Sequence, residues 1–219
     1  MERLIVLDTE TTGLDVDDGH RIIELGCVEI IDRSITSNVF HHYINPQRLI
    51  DEKAYEIHGI SNEFLKDKLK FQDIIEKFIN YISDSPLVIH NAAFDLGFLK
   101  SEYNISGYNP EDLDVSREII DTLKIARKKS PGKRNTLDAL CSRYSIDNTD
   151  RSLHGALLDS QLLANVYLRM TQGQTLIEGL SDIVNDHPDQ SQAVVENRQP
   201  KIIYATNNEL TDHENYFKK

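Results

Sequence analysis

The apolar residues near the beginning of the chain predict three β-strands. Residues 4–7 form a short apolar run, LIVL, which is typical of a buried strand. The segment RIIELGCVEII, which begins at Arg21, predicts the second strand, and residues 38–44 predict the third. The polar connections between these segments are too short to contain a crossover helix, so we expect an antiparallel meander.

After Ser61 the spacing of apolar residues changes to that of helices. FQDIIEKFINYI, at residues 71–82, places its apolar residues on one helical face. The short apolar run SPLVIH predicts a strand, and Asn91 is placed to cap a helix over AAFDLGFLKSEY. EIID predicts one more short strand, followed by helices over TLKIARKK, TLDALCSRY and GALLDSQLLANVYLRM. The combined pattern predicts an α/β fold with a mixed sheet.

The composition changes after Gly173, which divides the chain into parts. Residues 181–200, SDIVNDHPDQSQAVVENRQP, are polar and lack a sustained period, as is typical of a flexible linker. Residues 201–217, KIIYATNNELTDHENYF, regain apolar positions and are either a frayed end or a peptide that folds on a partner. We predict a folded domain over residues 1–173, a flexible linker over 174–200 and a partner-binding segment over 201–219.

Composition narrows the class of protein. The hydrophobic fraction is 39%, as in folded domains, and the two cysteines, Cys27 and Cys141, lack the spacing of a zinc ribbon or a disulfide framework. No apolar run approaches the roughly 20 residues that cross a bilayer, and the N-terminus lacks a signal peptide. We therefore expect a soluble cytoplasmic protein that makes no membrane contact.

The net charge of −12 has the wrong sign for a protein that holds a long stretch of nucleic acid by neutralising phosphates. One segment, KIARKKSPGKR, differs from the rest of the chain because it is strongly basic. Its cationic residues are Lys124, Arg127, Lys128, Lys129, Lys133 and Arg134. Two interpretations of this segment remain open: a solvated helix end and loop, or a surface that contacts phosphate.

Four carboxylates and a histidine occur on or near predicted strand ends and helix starts, where binding sites of α/β domains are commonly found. Asp8 and Glu10 are two residues apart on the first strand, so their side chains point to the same face. Asp95 follows a buried strand, Asp159 interrupts an apolar helix, and His154 precedes that helix. Clustered carboxylates suit a hard cation such as Mg²⁺ or Mn²⁺. Each of these residues also has a purely structural interpretation. For Asp8 and Glu10, that interpretation is a solvated strand end.

Three motifs carry a resemblance to a known family. DTETTGL, IHNAAFD and LHGALLD resemble, in order, the exonuclease motifs of the DEDDh family of 3′→5′ exonucleases. The segments PGKRNTLDALCSRY, IHGI and KIIYAT extend the resemblance to the proofreading subunits of bacterial DNA polymerase III. The resemblance implies a ribonuclease H-like fold, with a five-stranded mixed sheet flanked by helices, in which an antiparallel meander is followed by parallel strands. It also implies removal of 5′-mononucleotides from DNA 3′ ends. The alternatives are an exoribonuclease or general single-strand nuclease, and a non-catalytic interaction module.

The resemblance also assigns roles to particular residues. It implies two divalent metal ions, Mg²⁺ or Mn²⁺, with His154 removing a proton from the attacking water. The implied metal ligands are Asp8, Glu10, Asp95 and Asp159. The residues implied to line the pocket for the terminal nucleotides are Thr11, Leu14, Ile57, His58 and Phe94. For Ile57 and Phe94, packing in the core is an equally good interpretation.

Partners are implied in the same way. Residues 201–217 correspond to the segment that docks on the catalytic subunit of DNA polymerase III. QTLIEG, at residues 174–179, occupies the place of a sliding-clamp-binding peptide. Because it lacks the terminal aromatic residue that such peptides carry, we expect any clamp contact to be weak.

Overall fold

The computed structural model describes residues 2–113, 117–149 and 151–172. The predicted linker at 174–200 and the partner-binding segment at 201–219 lie outside the described residues. The proposed division of the chain into these parts therefore stays a prediction. Within the described residues, no helix has both the length and the apolar character needed to span a membrane.

A five-stranded sheet forms the centre of the domain. The strands are β1 (Arg3–Thr11), β2 (Ile22–Ile31), β3 (Ser34–Tyr43), β4 (Leu87–Ile89) and β5 (Ile119–Asp121). Their order across the sheet is β3-β2-β1-β4-β5, with antiparallel pairing from β1 to β3 and parallel pairing of β1 with β4 and of β4 with β5. This arrangement confirms the predicted meander followed by parallel strands. The first strand is longer than the predicted apolar run, and it extends through Asp8 and Glu10 to Thr11.

Seven helices and a short 3₁₀ turn at residues 110–113 accompany the sheet in the described residues. They are α1 (Glu52–His58), α2 (Asn62–Leu65), α3 (Phe71–Ile82), α4 (Ala92–Ile105), α5 (Thr122–Lys129), α6 (Leu137–Tyr144) and α7 (Ala156–Thr171). The sequence pattern predicts α3 to α7 but not α1 and α2. Those two helices have seven and four residues, which is too short for a helical period to stand out.

The alternation of side chains along β1 separates the core into two layers. Ile5 and Leu7 pack in the layer that contains α3 and α4. Leu4 and Val6 pack on the other face, in the layer that contains α6 and α7. Because the alternation continues along the strand, Asp8 and Glu10 are directed towards the α7 layer and Thr9 towards the α4 layer.

The residue before α4 takes the predicted position but acts in a different way. Asn91 has a left-handed backbone, with φ of 65°, and its side chain makes no capping hydrogen bond. Asparagine tolerates this conformation better than most residues. The expectation of side-chain capping was therefore wrong. The left-handed turn instead redirects the chain at the end of β4, so that α4 begins beside the cleft described below.

Candidate active site

One cleft contains every predicted metal ligand, the predicted base and the predicted nucleotide-pocket residues. It has a volume of about 1390 Å³ and opens where the parallel strands β1 and β4 end. Carboxyl ends of parallel strands are the usual place for ligand sites in α/β sheets. The lining includes the four predicted metal ligands, His154 and the five predicted pocket residues, namely Asp8, Glu10, Asp95, Asp159, His154, Thr11, Leu14, Ile57, His58 and Phe94.

Three different elements deliver the four carboxylates. β1 carries Asp8 and Glu10 on one face, and the first turns of α4 and α7 carry Asp95 and Asp159. Glu10, His154 and Asp159 each offer one potential ligand atom, and these three atoms lie within 4.8 Å of one another. Asp95 and Asp159 are only 3% exposed. Glu10 and Asp159 are thus held close together, and Glu10, Asp95 and Asp159 have little access to water, whereas Asp8 is half-buried.

A glycine on β2 allows α7 to approach the sheet closely. Gly26 lies opposite Asp8 in the β1–β2 register. A Cβ atom at Gly26 would stand 2.4 Å from the carbonyl carbon of Ala156 and 2.4 Å from the nitrogen of Leu157. The hydroxyl of Ser160 also donates to the Gly26 carbonyl oxygen at 2.9 Å. The missing side chain therefore permits the contact that places Asp159 beside β1.

Asp95 is positioned from the opposite face of β1. The Oγ1 atom of the buried Thr9 donates a hydrogen bond to Asp95 Oδ1 at 2.8 Å. Thr9 lies between the two acidic residues of the first motif but points away from them. Sequence reasoning did not single it out, because a threonine in a strand is ordinarily read as a residue with good strand propensity.

The carboxylates have strongly perturbed acidities. Desolvation raises the pKa of Asp8 well above its usual range, and the neighbouring charges of Asp95, Glu10 and Asp159 add to this effect. Desolvation, followed by repulsion from Asp159 and Glu24, raises the pKa of Glu10 to about 8. Desolvation also raises the pKa of Asp95 to about 7, despite the hydrogen bond from Thr9. A set of packed oxygen donors with these shifts fits a site for divalent cations, because added positive charge would relieve the repulsion.

Arg151 supplies positive charge to this cluster. Its Nε and Nη2 atoms donate to the two oxygens of Asp159 at 2.5 and 2.7 Å, a bidentate ion pair. Its Nη1 atom donates to Asp138 Oδ1 at 2.7 Å. These partners raise the pKa of the guanidinium, which therefore stays charged. Sequence reasoning missed Arg151, since an arginine in a polar loop is ordinarily a solvated residue.

His154 lies in the loop before α7, as predicted from its spacing to Asp159. Its Nδ1 atom is 3.0 Å from Arg151 Nη2 and 3.5 Å from Asp159 Oδ2. Because arginine only donates, Nδ1 accepts in this contact, and a neutral ring carries its proton on Nε2. Desolvation, followed by the charge of Arg151, lowers the pKa of His154 below its usual value. The ring is therefore largely neutral at pH 7.

The predicted nucleotide pocket forms an apolar wall of the cleft. Leu14 and Ile57 are 78% and 44% exposed, so Ile57 is not a core residue. Phe94 is half-buried and packs on Phe98, with ring centroids 4.9 Å apart. His58 is buried, and its Nδ1 atom accepts from the Ile60 amide at 3.0 Å. Thr11 is also buried, and it donates from Oγ1 to the carbonyl oxygen of Gly13 at 2.6 Å.

A fifth buried carboxylate stands beside the cluster. Glu24 lies opposite Glu10 in the β1–β2 register and is only 2% exposed. Its Oε1 atom is 2.7 Å from His41 Nε2, on β3. Like charges on directly opposed strand positions repel each other, so the contact with His41 stabilises this pair. The sequence did not identify Glu24, because the sequence around a single charged residue in an apolar strand does not show which residue lies opposite it in the sheet.

Comparison with known sequences finds a matching family and similar proteins. Residues 5–167 match the family described as Exonuclease. The chain is also similar to the DNA polymerase III subunit epsilon of Salmonella typhimurium strain LT2. The two sequences are 46% identical over 220 residues, which cover 97% of this chain and 90% of the relative.

Solved structures share the same architecture. Exonuclease X, in a complex with 5′ overhanging duplex DNA, superimposes with a TM-score of 0.61 at 29% identity, over 78% of this chain and 93% of that one. The nuclease domain of 3′hExo, a DEDDh family member bound to rAMP, gives a TM-score of 0.67 at 19% identity, over 78% of this chain and 92% of that one. At that lower identity the likeness concerns the fold alone.

Proposed function

The chain belongs to the exonuclease family, and we propose that it proofreads newly made DNA as the epsilon-type subunit of a DNA polymerase III, removing 5′-mononucleotides from 3′ ends. The observation that carries this proposal is the gathering of four carboxylates and His154 in one cleft. Hydrolysis of a phosphodiester needs charge neutralisation at phosphorus, a base for the attacking water and a pocket for the end of the strand. The cleft offers residues for each of these requirements.

The carboxylates fit a pair of divalent cations, Mg²⁺ or Mn²⁺. Asp8, Glu10 and Asp159 would hold one ion, and Asp8 and Asp95 would hold the second. Two such ions, when bound, stabilise the attacking and leaving oxygens of an in-line displacement at phosphorus. The raised pKa values of Asp8 and Glu10 support this assignment, because desolvation and the neighbouring carboxylates, which cause them, would both favour binding of a cation.

His154 is suited to remove the proton from the attacking water. Its lowered pKa keeps the ring neutral at physiological pH, as a general base requires, and Nδ1, which accepts from Arg151 in this structure, would have to leave that contact to take the proton. The loop that carries it is tied to the pocket wall, because the His154 amide donates to the carbonyl oxygen of Ile57 at 3.1 Å. This hydrogen bond fixes the position of His154 relative to the residues that would hold the terminal nucleotide.

The apolar wall supports binding of any terminal base. Leu14, Ile57 and Phe94 present apolar surface to the cleft, and such surface packs against bases regardless of sequence. Unpairing a mismatched end costs less free energy than unpairing a matched end, so the site would act preferentially on mismatched 3′ ends. Both properties suit a proofreading nuclease.

We expect the part of the chain outside the described residues to bring the nuclease to DNA. We infer that residues 201–217 dock on the polymerase catalytic subunit and that residues 174–179 make at most a weak clamp contact. A linker between a nuclease and a docked segment raises the effective concentration of the nuclease at the primer end. The proposed assembly would place the protein in the cytoplasm. Full-affinity co-purification of a chain ending at Gly179 with the catalytic subunit would contradict the docking proposal.

The activity is tested with 5′-labelled single-stranded DNA and the matching RNA, incubated with the protein and Mg²⁺. We expect a ladder that shortens from the 3′ end of DNA, is lost with chelator and falls roughly 100-fold or more in His154→Ala. His42→Ala is the matched control, because His42 lies on β3 and does not line the cleft. A ladder on RNA alone would assign the protein to the exoribonucleases. No ladder on either substrate from folded protein would favour a non-catalytic module.

A further inference from the structure

The basic segment at residues 124–134 is divided by the fold into two groups. Arg127, Lys133 and Arg134 line the same cleft as the carboxylates. Lys124, Lys128 and Lys129 are exposed but do not line it. The cleft therefore has a cationic edge, here called the basic rim and defined as Arg127, Lys133 and Arg134.

The loop that carries the rim is held in place by hydrogen bonds. Arg143 Nη2 donates to the carbonyl oxygen of Arg134 at 2.6 Å, and Arg143 Nη1 donates to Asn135 Oδ1 at 2.8 Å. The Nδ2 atom of the buried Asn135 donates in turn to the Lys133 carbonyl oxygen at 3.0 Å. Gly132, with φ of 75°, provides the turn that other residues rarely adopt. The loop backbone is thus preorganised, while its cationic side chains extend into solvent.

The charges of the rim are not paired in salt bridges within the described part of the chain. No salt bridge in that part involves Arg127, Lys133 or Arg134, whereas Arg151 is fully engaged with Asp138 and Asp159. Three cations that form no salt bridge with the described residues thus line the cleft of the carboxylates in a chain whose net charge is −12. Their position favours a ligand with several negative charges that reaches from the carboxylates to the rim.

We propose that the basic rim binds the phosphates of a single-stranded DNA end on the 5′ side of the scissile phosphodiester. This inference rests on the proposed function, which places the scissile phosphodiester at the carboxylates. A strand that enters the cleft carries one phosphate per nucleotide, so the phosphates behind the scissile one require cations of their own. A few such contacts hold the strand end without the broad basic surface of a duplex-binding protein.

The test uses the full chain and two variants with the same change in charge. Lys133→Gln with Arg134→Gln removes two rim charges, and Lys128→Gln with Lys129→Gln removes two charges outside the cleft. Each protein is assayed on a dodecamer of thymidylate and on the p-nitrophenyl ester of thymidine 5′-phosphate, over a range of salt concentrations. The ester contains a single phosphate and cannot reach the rim.

The rim variant is expected to raise the KM for the dodecamer roughly ten-fold at low salt. It should also reduce the slope of log KM against log salt by about 1.4, at about 0.7 for each lost phosphate contact. The control variant should change the KM by less than two-fold and the salt slope by less than the roughly 0.7 of one phosphate contact. The two variants should hydrolyse the ester alike.

Three results would overturn the inference. Equal effects of both variants on the dodecamer would show that only overall charge matters. An unchanged salt slope in the rim variant would show that the rim is a solvated loop. An equal loss on the ester and the dodecamer would show that the rim supports the active site rather than the strand. Failure of the unaltered protein to hydrolyse the ester would instead contradict the proposed function itself.

Discussion

At the scale of single residues, the proposed role of His154 as the general base would make the activity depend on the protonation of its ring. Its pKa lies below 6.5 because the ring is desolvated and stands beside the Arg151 cation. A base must be neutral to accept a proton, so kcat/KM should rise with pH through an inflection below about 6.5. Removing the cation in Arg151→Gln should move this inflection to higher pH, which a pH profile on the nitrophenyl ester would measure.

Arg169→Gln is the matched control for that prediction. Arg169 is exposed in the last turn of α7, so the variant changes the same charge away from the base. Its pH profile should coincide with that of the unaltered protein. If Arg151→Gln lowered the rate without moving the inflection, Arg151 would hold Asp159 in place but would not set the acidity of His154.

At the scale of elements, the approach of α7 to β2 decides where Asp159 lies. Gly26→Ala would place a Cβ atom 2.4 Å from the backbone of Ala156, and a helix backbone cannot yield as a side chain can. We expect a loss of about 1–3 kcal/mol in the free energy of unfolding. A displacement of Asp159 by about 1 Å should reduce activity roughly 100-fold. Chemical denaturation and the ester assay would measure the two effects.

Gly97→Ala separates this steric effect from the general cost of replacing glycine. Gly97 lies in α4, and a Cβ atom there would have no neighbour within 4 Å. Alanine is favoured over glycine in helices by about 1 kcal/mol, so this variant should be as stable as the unaltered protein or more stable. Equal behaviour of Gly26→Ala and Gly97→Ala would mean that α7 adjusts without cost.

At the scale of the whole molecule, the carboxylate cluster links stability to pH and, if it binds the proposed cations, to metal ions. The pKa of Glu10 is about 8 in the folded chain, against 4.5 for an ordinary glutamate. The folded state therefore binds this proton more tightly than the unfolded state does, and stability falls as pH rises from about 4.5 to 8. With chelator present, the Tm should be lower at pH 8 than at pH 6. Glu10→Gln should flatten this dependence, as thermal denaturation would show.

Divalent cations should reverse the same effect. An ion that binds only the folded state stabilises it by mass action, and it binds best when the carboxylates are ionised. Added Mn²⁺ should therefore raise the Tm more at pH 8 than at pH 6. A rise of equal size in the Asp8→Ala protein would contradict the assignment of Asp8 as a ligand.

The sequence by itself determined the strands, the helices α3 to α7 and the order of the motifs, but not the short helices α1 and α2. Periods of 2 and 3.6 are set by the geometry of strands and helices, so α3, α7 and the meander of β1 to β3 could be read from local pattern. The acidic pair on β1 followed from the same alternation. Its assignment to a metal site came from three motifs in order, because no single carboxylate carries that information.

Only the tertiary structure decided which residues surround those motifs. Arg151, Glu24 and Thr9 contact or oppose predicted site residues, yet their sequence surroundings are those of an ordinary loop or strand. The division of the basic segment into a rim and a solvated face is also a property of the folded chain. The physical reason is that electrostatic and steric contacts depend on distances between residues far apart in sequence. The close approach that Gly26 permits between α7 and β2 is such a distance, and it brings Asp159 close to Glu10.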